Sequence, residues 1–301
     1  MNYKFCADVK DNNTLRASFN ELAQRTFGFN FILWYEKGHW GNDYIPHVLV
    51  DNDGKVISNV SVNFMKFDMD GVIKNYIQLG TIMTDTDYRG QGLNKYLIER
   101  ILEEYKDRVD GFYLFANDSV LKYYPKFGFK PCVQYEYSLS ISRKTDKKKD
   151  KYIIKKVDMS HPDACDKLYH TIHKYDSMNM GNNPNDGFSM CDNLSLIQFW
   201  LAAEYGNNVY YLPELEAYVI ASISDGILKV FQIVSTHKVD IEKMASSFED
   251  DISNVELYYT PIEKEAYQVK IHKEECTLFI LGESLEKVET DKLLFPILSH
   301  A

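Results

Sequence analysis

The chain reads Thr84-Asp-Thr-Asp-Tyr-Arg-Gly-Gln-Gly-Leu-Asn-Lys95 where an apolar, strand-like run gives way to a helical one. Gly90 and Gly92 let backbone N–H groups approach an anion, Arg89 adds a fixed charge, and the positive end of a new helix favours phosphate. On these twelve residues alone, a pyrophosphate cradle and an ordinary glycine turn beside a solvated arginine are equally good readings.

The upstream context separates them. Strands are predicted over Tyr44 to Val50, Val56 to Phe67 and Val72 to Thr84, parted by the turn signals Asp51-Asn52-Asp53-Gly54 and Asp68-Met69-Asp70-Gly71. Two consecutive hairpins therefore lead into the glycine loop. A dinucleotide-binding βαβ unit would need a parallel strand there and an acidic residue closing the next strand, and a P-loop would need Gly-Lys-Ser/Thr. Neither pattern is present, so the ligand should be a phosphate carrier other than NAD or ATP. Downstream, the strand GFYLFAN ends at Asn117, and a short helical stretch carries Tyr123 and Tyr124 before Lys126-Phe127-Gly128-Phe129. An amide and a phenol thus follow the cradle closely.

The remaining periodicities give the fold class. Leu15, Phe19, Leu22 and Ala23 share one face of a helix over Thr14 to Phe27, and Phe29 to Trp40 reads as a short aromatic segment. Leu93, Tyr96, Leu97, Ile101 and Leu102 form the buried stripe of a helix from about Gln91 to Tyr105. A strand at Gly111 to Ala116 and a last strand or hairpin through Gly128 to Ile141 follow. Antiparallel strands first, then strand, helix, strand, predict a mixed, mainly antiparallel sheet with flanking helices, an α/β (α+β) fold. The second half repeats this order more weakly, so duplication is the economical reading. The run Arg143 to Lys156 holds eight basic and two acidic residues, which suits a solvated connection. It divides the chain into a first domain over 1–143, a charged linker over 144–151 and a second domain over 152–301.

Composition narrows the function classes. With 34 basic against 44 acidic residues among 301, the formal charge is -10, which argues against nucleic acid as partner. No apolar run approaches the ~18 residues of a membrane span, and Met1 to Lys10 does not look like a secretory leader. Five scattered cysteines, Cys6, Cys132, Cys165, Cys191 and Cys276, form no metal-ligand pattern. They read as free thiols of a cytoplasmic protein, most of them packing residues, although His161, His170 and His173 stand near Cys165.

At Arg89-Gly90-Gln91-Gly92-Leu93 the sequence resembles the GNAT superfamily of acetyl-CoA-dependent N-acetyltransferases, whose pattern is Gln/Arg-x-x-Gly-x-Gly/Ala. Asn94 stands at the sixth place, where it can still expose its backbone N–H. YYPKFGF is similar to the family's aromatic-Tyr-x-x-aromatic-Gly-Phe signature. The resemblance covers roughly residues 1 to 141. It implies that the main chain of Ile82, Met83 and Thr84 contacts the pantetheine of acetyl-CoA, that Arg89, Gly90, Gln91, Gly92, Leu93, Asn94 and Lys95 hold the pyrophosphate, that Asn117 is the pantetheine-contacting amide, and that Tyr124 is the general acid. The reaction it implies is direct transfer of an acetyl group to a small-molecule or peptide amine; no metal, nucleic acid or membrane partner is expected, and the oligomeric state, with a homodimer among the options, is open. No carboxylate marks the middle of Val72 to Thr84, so the base is Glu36, His47 or water. The second half, with IVSTHKVDIEK at Ile233 to Lys243, lacks the cradle and looks like a degenerate copy. The arrangement is similar to tandem acetyltransferases of the enhanced-intracellular-survival type, in some of which the terminal carboxylate is a base. The tail LLFPILSHA is expected rather to close a sheet, with Ala301 the alternative base.

The rings of Trp34, Tyr35, His39, Trp40, Tyr169 and Tyr175, with Glu36 and Asp43, suit a cationic amine, but core packing explains them better. A non-catalytic acyl-CoA-binding module is the rival reading, and a scaffold of two degenerate domains a third.

Overall fold

The computed structural model describes residues 3–69, 71–141, 151–179, 183–248, 251–273 and 275–301. The charged linker over 144–151 lies almost wholly outside them. Strands are β1 (Lys4–Ala7), β2 (Tyr44–Val50), β3 (Val56–Met69), β4 (Val72–Thr84), β5 (Gly111–Asn117), β6 (Lys130–Pro131), β7 (Tyr135–Ser140), β8 (Lys155–Lys156), β9 (Phe188–Cys191), β10 (Val209–Leu212), β11 (Ala217–Ser224), β12 (Ile227–Val234), β13 (Asn254–Leu257), β14 (Gln268–Ile271) and β15 (Cys276–Leu281). Helices are α1 (Asn13–Phe27), α2 (Ile32–Glu36), α3 (Leu93–Tyr105), α4 (Pro162–Asn179), α5 (Leu194–Ala203), α6 (Ile241–Ser247) and α7 (Lys287–Thr290).

Two mostly antiparallel sheets carry the fold. The first runs β1-β2-β3-β4-β5-β15-β6, with β9 beside the far end of β3, and the second runs β8-β10-β11-β12-β13-β7-β14. Each contains one parallel pair at the same place in its order, β4 with β5 and β12 with β13. The sheets also trade strands. β15 comes from the end of the chain and pairs with β5 and β6, whereas β7 comes from the first half and pairs with β13 and β14. The closing strand or hairpin expected over Gly128 to Ile141 is two short strands that join two different sheets, and the sheets do not part where the charged run stands. β9, which no alternation in the sequence announced, pairs with Lys66 to Met69 of β3.

The first sheet takes its helices as its pattern requires. α1 begins at Asn12, whose side chain accepts from Leu15 N, and ends at Gly28 in the left-handed region. It buries Phe19, Leu22 and Ala23 against Val48, Val50, Val56 and Met83. On α3, Leu93, Leu97, Ile98 and Ile101 pack on Val60, Val62, Ile77 and Leu79. At roughly 1.5–3 kcal/mol for each fully buried aliphatic side chain, this face fixes where α3 starts, and so where the glycine loop lies. α5 joins the halves: Trp34 Nε1 donates to Ser195 O at 3.0 Å, Gly41 N to Ser195 Oγ at 3.0 Å, and Ser195 Oγ to His39 O at 2.6 Å.

Candidate active site

β4 and β5 pair at only three positions, Tyr76 with Gly111, Ile77 with Phe112 and Gln78 with Tyr113. Beyond Gln78, β4 continues to Thr84 and β5 to Asn117, each keeping its outer neighbour. The facing edges leave backbone groups without ladder partners, available to whatever enters the gap.

A β-bulge shapes the β4 side. Between the pairs Ser61–Gly80 and Asn59–Met83, β4 carries two residues, Thr81 and Ile82, against one on β3. Thr81 has φ +48, a conformation that costs a β-branched residue roughly 1–3 kcal/mol. Asn59 Nδ2 donates to Thr81 O at 2.8 Å, Tyr44 OH and Thr81 Oγ1 share a hydrogen bond of 2.6 Å, and Ser61 Oγ donates to Tyr44 OH at 2.9 Å. Three hydrogen bonds, one buried and two partly buried, at about 1 kcal/mol each are of the size needed to hold the strained residue.

The candidate cradle lies at the open end of the gap. Asp85, buried between Lys55 at 2.7 Å and Arg25 at 2.9 Å, also accepts from Asp87 N. The Lys55 hydrogen bond holds its carboxyl below the usual range, with Arg25 adding to the effect. This pins the turn from which Arg89 projects, exposed, with its Nε donating to Thr84 O at 3.3 Å. Gly90 and Gly92 both have φ +76, and Gly92 is the N-cap of α3. No side chain caps this helix and no acidic residue stands in its first turn, so its leading N–H groups and positive end remain for an external anion. Asn94 turns its side chain inward, where its Oδ1 accepts from Ser58 Oγ at 2.5 Å. Ser58 in turn bonds Thr84 Oγ1 and Met83 O. The departure from Gly/Ala at this place thus ties the helix start to the ends of β3 and β4. Gln91 Oε1 accepts from Tyr3 OH at 2.8 Å, and Lys95 forms an exposed pair with Glu99.

Across the gap, Asn117 is exposed at the end of β5 and its Oδ1 accepts from Ser119 N at 3.1 Å. Tyr124, 5% exposed, opens a short 3-10 turn that ends at Gly128. Its ring packs against Tyr123, Phe129 and Phe279, the last of these from β15. Burial, with Tyr123 adding to it, pushes the phenol well above its ordinary value. It therefore stays protonated at neutral pH, as a proton donor must.

The tail closes no sheet. After a 3-10 turn at Ile297–Ser299 it enters beside the bulge: the His300 ring stacks on Phe115 at 3.8 Å, Trp200 Nε1 donates to His300 O at 2.8 Å, and Gln78 Nε2 donates to Ala301 O at 3.3 Å. A Cβ on Gly80 would stand 2.7 Å from that oxygen. The other candidate bases are elsewhere. Glu36 is exposed in a groove with Asn13, Arg16 and Arg25 between α1 and α2. His47 is wholly buried between the rings of Phe5 and Tyr105, with Nδ1 bonded to Ile45 O, and burial pushes its pKa down. Gly80 was the one visible signal of the tail's approach, since an isolated glycine inside a strand marks a bulge or a close contact. Nothing in the sequence marked Asn59, Tyr44, Trp200 or Phe279.

The second half has no such site at the matching junction. There Asp240 caps α6, its side chain accepting from Lys243 N at 2.9 Å, and Glu242 stands in the first turn. The helix start is closed by a carboxylate. A cavity of about 1100 Å³ opens between α4 and the Tyr211–Tyr218 pair, and none of its lining residues belongs to the β4–β5 gap. The five cysteines form no disulfide, and Cys165 Sγ donates to Met159 O. Among the described residues there is no metal-binding cluster and no helix long and apolar enough to cross a membrane. The rings of Trp34, Trp40 and Tyr44 belong to the core, with Arg16 stacked over Tyr35.

Residues 13–129 match the acetyltransferase (GNAT) family. No curated protein matches the chain. Among solved structures, a conserved Enterococcus faecalis protein described as "Probable N-Acyltransferase" is 15% identical, with 92% of this chain and 72% of that one covered at a TM-score of 0.60. A GCN5-related N-acetyltransferase from Kribbella flavida is 16% identical over 93% and 71%, with a TM-score of 0.56. Eis1 from Mycobacterium abscessus is 15% identical over 87% and 70%, also at 0.56. At these identities the likeness is one of fold, and it extends over both sheets.

Proposed function

We propose that the chain, whose residues 13–129 match the acetyltransferase (GNAT) family, transfers an acetyl group from acetyl-CoA to an amine by direct attack in a ternary complex. One observation carries the reading. The unpaired edges of β4 and β5 open onto the uncapped start of α3, so groups suited to a pantetheine amide chain and to a pyrophosphate adjoin.

Arg89 and the N–H groups from Gly90 to Lys95 hold the pyrophosphate, while the main chain of Ile82, Met83 and Thr84, with Asn117, holds the pantetheine. The neutral amine attacks the thioester carbon, the C–S bond breaks, and Tyr124 gives its proton to the leaving sulfur. Backbone N–H groups in the gap steady the oxyanion. The ammonium proton leaves through water or to Ala301, whose oxygen already accepts from Gln78; where Ala301 ends the chain, that oxygen belongs to a carboxylate. The second half, its own helix start capped by Asp240, serves as wall and support. Free thiols and a CoA donor suit the cytoplasm.

The test is calorimetric titration with acetyl-CoA of the protein and of Arg89→Ala, followed by thiol release with a panel of amines. Saturable binding lost in the variant, with amine-dependent release, supports the proposal. Binding without turnover makes the chain an acyl-CoA-binding module, and absence of binding overturns both.

A further inference from the structure

Four of the large apolar side chains left exposed fall within seven residues: Phe27 at 43%, Phe29 at 42%, Ile32 at 48% and Leu33 at 52%. Clustered exposure of this kind on a soluble fold marks a contact surface. Here it leads inward. Phe27 stacks on Phe29 at 5.8 Å, Phe29 meets Phe199 of α5 edge-on at 6.3 Å, and Phe199 meets Trp200 at 5.6 Å. Trp200 holds His300 O, and the His300 ring lies on Phe115 beside Ala301 and the β4 bulge. Phe199, Trp200, His300 and Phe115 are each only partly buried, so every member keeps some surface for a ligand.

The run contains no carboxylate side chain. Glu36 is turned into the groove between α1 and α2 with Arg16 and Arg25. Asp43 is partly buried, and burial and the charge of Asp192 push its pKa up. A polyamine or other polycation would leave its outer charges facing rings alone. A single amine on an apolar body would place the body along the rings and its nitrogen at the inner end, where the Ala301 oxygen accepts. Building on the proposed transfer to an amine, we propose that the Phe27–Phe29–Phe199–Trp200 run is the acceptor's subsite and that the acceptor is a monoamine carried on an apolar, ring-bearing body.

The probes are 2-phenylethylamine and tryptamine against spermidine, with the full chain saturated in acetyl-CoA. The expected result is higher kcat/KM for the arylalkylamines. KM for them should rise by about tenfold in Phe29→Ser and in Phe199→Ala, as follows from losing the burial of one ring, with acetyl-CoA affinity unchanged by calorimetry. Phe29 is exposed, so its variant keeps the test open if Phe199→Ala fails to fold. Direct binding of tryptamine to the CoA-loaded protein, by saturation-transfer NMR, separates the two proposals. Binding that weakens in Phe29→Ser supports the subsite even if no thiol is released, in which case acyl transfer is what falls. Preference for spermidine, equal loss for all three amines, or absence of tryptamine binding overturns the subsite. So does self-association that Phe29→Ser abolishes, since the patch is then an interface between copies.

Discussion

Gly80 and Ala301 compete for one space: a methyl group on Gly80 would stand 2.7 Å from the Ala301 oxygen and 2.9 Å from its carbonyl carbon. Contact of that kind with backbone cannot be relieved by a rotamer change. Gly80→Val should push the tail out of the β4–β5 gap and lower kcat at least tenfold, on the reasoning that losing a positioned proton acceptor costs roughly a hundredfold. The affinity for acetyl-CoA, which the proposal rests mainly on Arg89 and the start of α3, should change much less. Equal loss of both would mean that the substitution had collapsed the bulge.

Arg89 and the uncapped α3 are asked to bind an anion together, and the two contributions separate by mutation. Arg89→Ala removes one charge-assisted contact and should weaken acetyl-CoA by roughly ten- to a hundredfold. Gly92→Ala meets no atom within 4 Å but must hold φ +76, so it should cost about 1 kcal/mol of stability besides weakening binding. Calorimetry and thermal melting on the two variants distinguish the cases; an Arg89→Ala protein with unaltered affinity would remove the cradle from the argument.

Tyr124 keeps its proton until a base forms beside it. Its phenol is pushed up by burial, then by Tyr123, so it remains protonated through neutral pH. Tyr124→Phe keeps the ring packing against Phe279 and should lower kcat by roughly a hundredfold with little change in binding. An unaltered rate would show that the thiolate takes its proton from solvent.

The exchange of β7 and β15 makes a further prediction about folding. A fragment of residues 1–143 lacks β15, which stands between β5 and β6 and supplies Phe279 to the core around Tyr124. The fragment 152–301 lacks β7, which stands between β13 and β14 and supplies Tyr137. Neither should fold alone, whereas the full chain should unfold in one transition by circular dichroism in urea. A soluble, cooperatively unfolding 1–143 would contradict this.

The sequence revealed what is local. Alternation placed β2 and β4 to the residue because each alternating run is bounded by Gly, Asp or Asn turn signals, and the i, i+4 stripe of Leu93, Leu97 and Ile101 fixed α3. The glycine turn before α3 was legible for the same reason: Arg89, Gly90 and Gly92 are contiguous. What it hid is non-local. β7 and β15 alternate as any strand does, and no pattern in Tyr135 to Ser140 says which sheet it joins. The Thr81 bulge depends on Asn59 and Tyr44, and the tail's path on Gly80 and Trp200, partners that lie between 22 and 223 residues from the positions they hold. The inward role of the Asn94 side chain is hidden in the same way, since its bond to Ser58 crosses 36 residues.

A last prediction concerns the place where the two sheets meet. Asp186 bridges to Pro261 and accepts from Phe188 N at 2.9 Å. Burial, and beyond it the charge of Asp68, push its carboxyl up to about 7, and burial pushes Asp176 nearby up to about 6. In the unfolded chain both titrate near about 3.9. Between these limits the folded protein holds on these two groups protons that the unfolded chain has released, so their contribution to stability falls as pH rises from about 4 towards 7 and levels off above, against the opposite slope from His47, whose proton the fold excludes. Each group contributes a slope of at most ~1.4 kcal/mol per pH unit. Asp186→Asn keeps the acceptor oxygen without the charge and should flatten most of the decline between pH 5 and 7 in urea unfolding. A variant with the same pH profile as the wild type would show that Asp186 is ionised in the fold and that the junction has no such dependence.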